Sequence, residues 1–373
     1  MPRFRVLLIG AYGQFGSRVA RELSRDDIDL VLAGRHIDRA RHLASTLETG
    51  AAARLEVRAL DVESAYIAST IAALAPDVVI HTAGPFQARD YRVAEAAIAV
   101  GSHYIDLADA RAFVTGIASL DSAARERGVR VVGGASSVPG LSAAVVAAHL
   151  PRFARLDSVD SAISPGNRTP RGLATTQAIL GYVGRPFPVR GGGRWIRTHG
   201  WQSLRRIRHA ALGTRWVARC DVPDLEVLPA RYPQLQQCEF RAGLELRRMH
   251  FGLWLAAVAV RVGLVRDLPR WAPTLLRLSD RWIHAGSDTG LMTMDLAGIG
   301  HNGRPLRLRW SIVARDGSGP QIPATAAVLL ARAWRAGRPR PSAGPCLDLF
   351  TLDDFMAALA HYPIDASTET LSG

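Results

Sequence analysis

The chain has 373 residues, 48% of them hydrophobic and 21% charged, with a formal net charge of +13, and this length calls for two domains rather than one core. All 46 basic residues are arginine. The absence of lysine excludes a side-chain Schiff base, a phosphate-binding Walker lysine and the Tyr-x-x-x-Lys pair of short-chain dehydrogenases. Cys220, Cys238 and Cys346 are odd in number and widely spaced, which speaks against a disulfide frame and a zinc site. No histidine and acid fall at i, i+4 with a third partner in view, so no metal is expected. No basic, apolar leader precedes the first strand at Phe4, and the expected compartment is the cytoplasm.

Residues 6–9 are a continuous apolar run followed by Gly10, Gly13 and Gly16, and a helix pattern begins directly after them. A buried parallel strand, a glycine turn and a helix in this order form a dinucleotide cradle. Gly10 takes the tight turn, Gly13 admits the pyrophosphate, and Gly16 lets the helix pack on the strand, with Gln14 and Phe15 completing the turn. The second strand, 30–33, ends at Gly34-Arg35-His36, where an NAD-preferring chain usually places an acid. Arg35 instead suits a 2′-phosphate, with Arg39 one helical turn on, so NADP is the expected cofactor and NAD the less favoured one.

The third strand, 55–60, delivers Asp61 and Val62 to the adenine side, and a helix is expected over 64–74. Strand four, 78–81, ends in His81 and a loop in which Ala83 and Gly84 line the path toward the nicotinamide. His81 reads as a packed, hydrogen-bonded side chain rather than a proton donor. A helix through Tyr91 and Ile98 leads to strand five, 104–107, whose Asp106 and Asp109 are the candidates for substrate contact, with capping of the next helix as a competing role for Asp109. One long helix from Ala112 to Gly128 and strand six, 129–132, complete a Rossmann-type doubly wound parallel sheet of six strands.

The motifs GAYGQFG, AGR at 33–35, HTAGPF at 81–86, YIDLAD at 104–109 and GASSVPGLSAAVV at 134–146 together resemble the NADP-binding domain of the saccharopine dehydrogenase-like oxidoreductases. Fainter likeness continues in GSDTGLM at 286–292 and PCLDLFTLDDF at 345–355. The resemblance implies an α/β nicotinamide enzyme with an inserted substrate domain. Family members acting on amino acids often read Tyr-x-Asp-x-Thr-Gly-Glu after strand five. This chain keeps Asp106 but has Ala108, Asp109 and Ala110 in the last three places.

The expected organisation is a nucleotide domain over 1–136, a mixed α/β substrate and dimerisation domain over 137–320, and a segment 321–373 returning to the nucleotide domain. A helix over 141–150, with Pro139-Gly140 at its mouth, offers its N-terminal amides to an anion or simply joins the domains. Arg168 and Arg171 are a carboxylate clamp or solvated. Residues 185–219 hold nine arginines with Trp195, Trp201 and Trp216. An arginine-covered sheet face is favoured there over nucleic acid, which is disfavoured, and over a membrane surface, which is the minority reading. The apolar run 251–260, flanked by Arg247, Arg248 and Arg261, is too short to cross a bilayer and reads as core or as a homodimer face, with a helix lying in a membrane interface as the minority reading. A hairpin over 291–314 turns at Asn302-Gly303; 335–345 reads as an Arg-Pro joint, and the tail past Tyr362 as loose. The chain is thus expected to be an NADP-dependent oxidoreductase acting on a carbonyl, imine or amine. The alternatives are an NADP(H) sensor without turnover and a peripheral lipid-surface protein.

Overall fold

The computed structural model describes residues 3–337 and 339–371. The chain folds into two compact units. One comprises residues up to Leu141 together with Pro320–Phe350, and the other Ser142–Gly319 together with the residues from Thr351 onward.

In the first unit, β1 (Arg5–Ile9), β2 (Asp29–Gly34), β3 (Arg54–Ala59), β4 (Val78–His81), β5 (His103–Asp106) and β6 (Arg130–Gly133) pair in the order β6-β5-β4-β1-β2-β3, all parallel. The central strands are apolar because helices cover both faces: Leu7, Leu8, Ile80 and Ile105 have no exposed surface. The sheet has a seventh strand that the reading of 335–345 as a joint missed. Ser342–Pro345 (β15 in chain order) pairs parallel with β6, Ala343 N–H donates to the Asp121 carboxylate at 2.7 Å, and Cys346 N–H donates to the Gly133 carbonyl at 2.8 Å. Helix Gln321–Ala336 packs on helix Gly16–Leu23, where Arg332 holds Asp26 at 2.9 Å. The segment 321–373 therefore divides: its part through Phe350 packs with the nucleotide sheet, and its remainder with the second unit.

The helix expected over 112–128 is broken into Arg111–Gly116, a tight turn at Ile117–Leu120, and Asp121–Glu126. The Tyr91 hydroxyl donates to the Phe113 carbonyl at 2.9 Å, taking an acceptor the continuing helix would use, and it lies where any side chain at Gly116 would have to go. The helix expected from 64 starts at Ile67.

The second unit contains β7 (Phe153–Ser164), β8 (Pro186–Gly191), β9 (Arg194–His199), β10 (Arg205–His209), β11 (Gly213–Arg219), β12 (Gln237–Ala242), β13 (Gly290–Gly300), β14 (Pro305–Ala314) and β16 (Ile364–Thr370). Its mixed sheet runs β10-β11-β12-β7-β13-β14-β16, parallel only between β7 and β12, with the β8-β9 hairpin attached to β12. The tail is not loose: from Ile364 it closes the edge of β14. Helix Leu352–Leu359 starts from a capping box between Thr351 and Asp354.

Candidate active site

The first unit gathers its polar groups at the carboxyl ends of its strands. Where β1 stops, Gly10 turns with φ of +81°, and its N–H and that of Ala11 both donate to the Ala33 carbonyl, at 2.8 and 3.1 Å. From the other side the Thr82 hydroxyl donates to the Ile9 carbonyl at 2.9 Å. The turn is thus clamped between the ends of β2 and β4. A Cβ on Gly10 would lie 2.8 Å from the Thr82 hydroxyl, and one on Gly16 would lie 2.1 Å from the Gly10 carbonyl oxygen. Only glycine permits this approach of helix to strand. Helix Gly16–Leu23 opens at Phe15 with no side-chain cap, so its N-terminal end is available to an anion, and Gln14 and Phe15 are half-buried beside it.

The adenosine side is shaped by a residue that motif reading passed over. Tyr12 packs so closely on Gly34 that a Cβ there would lie 2.5 Å from its ring, and its hydroxyl accepts from the His36 N–H at 2.9 Å. An aromatic inside the glycine triplet, paired with a glycine at the end of β2, was the available signal. Tyr12 fixes the turn carrying Arg35. Arg35 is exposed and lines a hollow of about 270 Å³ with Ala59, Leu60, Asp61, Ser64 and Thr70. Neither Arg35 nor Arg39 pairs with a carboxylate among the described residues, whereas neighbouring Arg41 holds Asp38 at 2.9 Å. Asp61 accepts from the Glu63 N–H at 3.1 Å, and Val62 packs against the sheet core.

The loop after β4 carries Ala83, which packs on the same core, and Gly84. Arg89 ties the loop down, donating to the Pro85 carbonyl at 3.2 Å and pairing with Glu63. Beneath the loop, His81 is buried with its Nδ1 3.0 Å from the Tyr104 hydroxyl and its ring edge-on to Phe86. Burial pulls the His81 pKa down to about 4, so the imidazole is neutral near neutral pH. Burial, then the field of Asp106, pushes the Tyr104 hydroxyl well above the usual tyrosine range.

Asp106 departs from the expectation of substrate contact, because its side chain is fully buried. Its Oδ1 accepts from the N–H groups of Ala108 at 2.9 Å and Gly134 at 2.8 Å, which fastens the loops after β5 and β6 together. Burial raises its pKa to about 7, and Oδ2 has no partner. Asp109 is exposed and accepts from the Gln87 side-chain amide at 3.3 Å. It does not cap the next helix, whose N-cap is Ala110.

In the second unit, the first turn of helix Ser142–His149 is buried, with Ser142 fully so, and it offers no open anion site. Arg171 is half-buried and is spent on the Asn167 carbonyl at 3.0 Å and the Ser279 hydroxyl at 3.2 Å; Arg168 is exposed. The arginines of 185–219 divide: three are held by acids, and Arg185, Arg194, Arg197, Arg206 and Arg208 are exposed. Arg205 pairs with Asp160, Arg215 with Glu245 at 2.9 Å and Arg219 with Glu239 at 2.6 Å.

Residues 6–132 match the family described as the saccharopine dehydrogenase NADP binding domain. Among solved structures, the fold is similar to the apo saccharopine dehydrogenase (L-Glu forming) of Saccharomyces cerevisiae. The TM-score is 0.67 at 13% identity, covering 98% of this chain and 99% of that one. An amine dehydrogenase from Mycobacterium smegmatis matches over 94% of both chains at 13% identity with a TM-score of 0.48. No curated protein matches by sequence.

Proposed function

We propose that this chain, whose residues 6–132 match the saccharopine dehydrogenase NADP binding domain, is an oxidoreductase of that kind and moves hydride between NADP(H) and a carbonyl, imine or amine substrate. The observation that carries the choice of NADP is Arg35: an exposed guanidinium without a carboxylate partner, at the end of β2 beside the hollow of Ser64 and Thr70. The glycine turn fits a dinucleotide because every position that must approach the pyrophosphate lacks a Cβ for a packing reason.

When bound, the nicotinamide supplies the hydride, which leaves this chain to bind, orient and manage one proton. The turn 10–16 holds the pyrophosphate, and Arg35 the 2′-phosphate. The loop 82–86, anchored by Thr82 and Arg89, lines the nicotinamide side. Asp109, exposed after β5, and Gln87, half-buried in the loop after β4 and 3.3 Å from it, are the groups assigned to substrate contact. Asp106 is a positioning residue that fixes the loops on either side through Ala108 and Gly134. With lysine absent, the proton donor is a histidine, a tyrosine, an acid, a thiol or water.

Purified protein with NADPH and a panel of keto acids, aldehydes and imines should oxidise the cofactor with at least one member, and Asp109→Asn should lower that rate. Tight NADPH binding without turnover across a broad panel would instead favour an NADP(H) sensor.

A further inference from the structure

The helices of the second unit leave an unusual surface uncovered. Ten large hydrophobic side chains are exposed among the described residues, and five of them, Leu255, Val262, Leu264, Trp271 and Leu278, lie between positions 255 and 278. Helix Arg247–Arg261 buries His250, Ala257 and Val260 in a small core with Leu180 and Trp201. Its opposite stripe, through Arg248, Gly252 and Leu255, is exposed and runs on past the helix end to Val262. Helix Ala272–Asp280 shares that core through Ala272 and Leu275 and leaves Arg277 and Leu278 outside. At the connection between the helices, Leu264 is 81% exposed and Val262 63%.

The same segment, 247–283, holds seven arginines against two acids, and all seven arginines are exposed. None of the seven forms an ion pair among the described residues. Arg270 lies over the exposed Trp271 ring at 5.3 Å, a polar and apolar pair of the kind that sits at a lipid headgroup boundary. In 185–219, by comparison, Arg205, Arg215 and Arg219 are neutralised by Asp160, Glu245 and Glu239, whereas in 247–283 none of the arginines has an acid partner among the described residues.

Charge decides what covers this surface. A two-fold contact with a second copy would set the arginine-rich segment against itself, since such an interface is self-complementary. An anionic leaflet complements it, and exposed apolar side chains among unpaired arginines suit a helix lying in the interface plane. No helix of the described residues is long and apolar enough to cross a membrane.

We propose that the helical layer 247–283 docks on an anionic lipid surface. Val262, Leu264 and Trp271 enter the acyl boundary, and Arg261, Arg266 and Arg270 meet the lipid phosphates. The inference stands apart from the hydride chemistry, which resides in the other unit.

Flotation of the full chain with phosphatidylcholine vesicles, with and without phosphatidylglycerol, tests it at low and high salt. Flotation should require the anionic lipid and weaken as salt rises. The double change Val262→Asp and Leu264→Asp should cut partitioning more than about ten-fold, and Arg266→Gln about five-fold. NADPH affinity and circular dichroism should stay unchanged in both, because these side chains are on the surface. If the double variant fails to fold, Arg266→Gln and the salt series decide alone. Equal flotation with neutral vesicles, or none with anionic vesicles at low salt, overturns the proposal. So does a dimer by light scattering that Leu264→Asp dissociates while vesicles are ignored; the surface would then be a contact between two copies.

Discussion

The two sheets bury charge in opposite ways. In the nucleotide sheet the central strands are apolar and the buried polar side chains appear where β4 and β5 end, at His81 and Asp106, while the pairs of Arg5 with Asp29 and Glu56 across β1 to β3 are partly exposed. In the second sheet, ion pairs run across the strands themselves. Asp160 on β7 binds Arg205 and Arg241, Glu239 on β12 binds Arg219 and Arg241, and Asp295 on β13 binds Arg309 on β14. These pairs lie beside an apolar patch that includes Ala162, Val217 and Leu291. The first sheet gathers its buried polar groups at the carboxyl ends of central strands, and the second carries ion pairs across its strands.

The largest expected effect falls at the carboxyl end of β1, in the middle of the first sheet. Gly13→Asp places a carboxylate where the proposed cradle would hold a pyrophosphate, and like charges in such contact cost several kcal/mol. NADPH affinity should fall by more than about 100-fold with the fold retained. Calorimetry giving wild-type affinity for a folded variant would locate the cradle elsewhere.

Next come the ion pairs of the second sheet. Asp160→Ala leaves buried Arg241 with Glu239 alone and takes the acid from Arg205, and since removing one member of a buried pair typically costs about 3 to 5 kcal/mol, the loss should be about 3 kcal/mol, the low end of that range. Urea unfolding should show that loss in the second unit. Arg194→Ala, at an exposed arginine of the same basic segment, should stay within about 0.5 kcal/mol. Equal effects at the two sites would mean that the arginines of 185–219 are not divided into structural and surface members.

Asp106 makes the third contrast, a charge the first sheet does not stabilise. Its pKa in the folded chain is about 7, against 3.8 for an ordinary aspartate, so the folded state keeps its proton where the unfolded chain has lost it. Stability contributed by this group is therefore full below pH 4 and declines as pH rises to about 7, by about 4 kcal/mol at most. Asp106→Asn keeps an oxygen for Ala108 and Gly134 and removes the titration. Comparing urea midpoints at pH 5 and pH 8, the variant should gain on the wild type at the higher pH. A pH-independent difference would show that Asp106 is not the titrating group.

The same contrast explains what was legible in the sequence. The apolar strands, Gly10, Gly13 and Gly16 announce the first sheet because burial on both faces and close packing leave few other residues possible. The seventh strand was hidden because Ser342, Ala343, Gly344 and Pro345 are small, half-buried edge residues with no β-branched signal. The tail strand Ile364–Thr370 was hidden for a related reason: all but Ile364 are exposed, and pairing with β14 alone orders them. The arginine-rich segment was ambiguous because its partners, Asp160, Glu239 and Glu245, come from other strands and loops, far away in sequence. Tyr12 and Thr82 were missed because their roles are contacts with backbone groups, which leave no spacing to read.

The smallest effect is the most discriminating. Arg35 stands at the end of β2, held there by the clasp of Tyr12 on Gly34 and His36. A 2′-phosphate carries close to two charges at neutral pH, and a guanidinium offers it paired donors, whereas NAD presents only a hydroxyl. A hydrogen bond to a charged group contributes roughly 1.5 to 3 kcal/mol. Arg35→Ala should therefore weaken NADPH binding by about 10- to 150-fold and leave NADH nearly unchanged. Arg39, exposed one turn along, can retain part of the preference, so the double change to alanine should remove more of it. Loss of affinity for both cofactors in equal measure would assign Arg35 to packing on the adenine, and the preference for NADP would lose its physical basis.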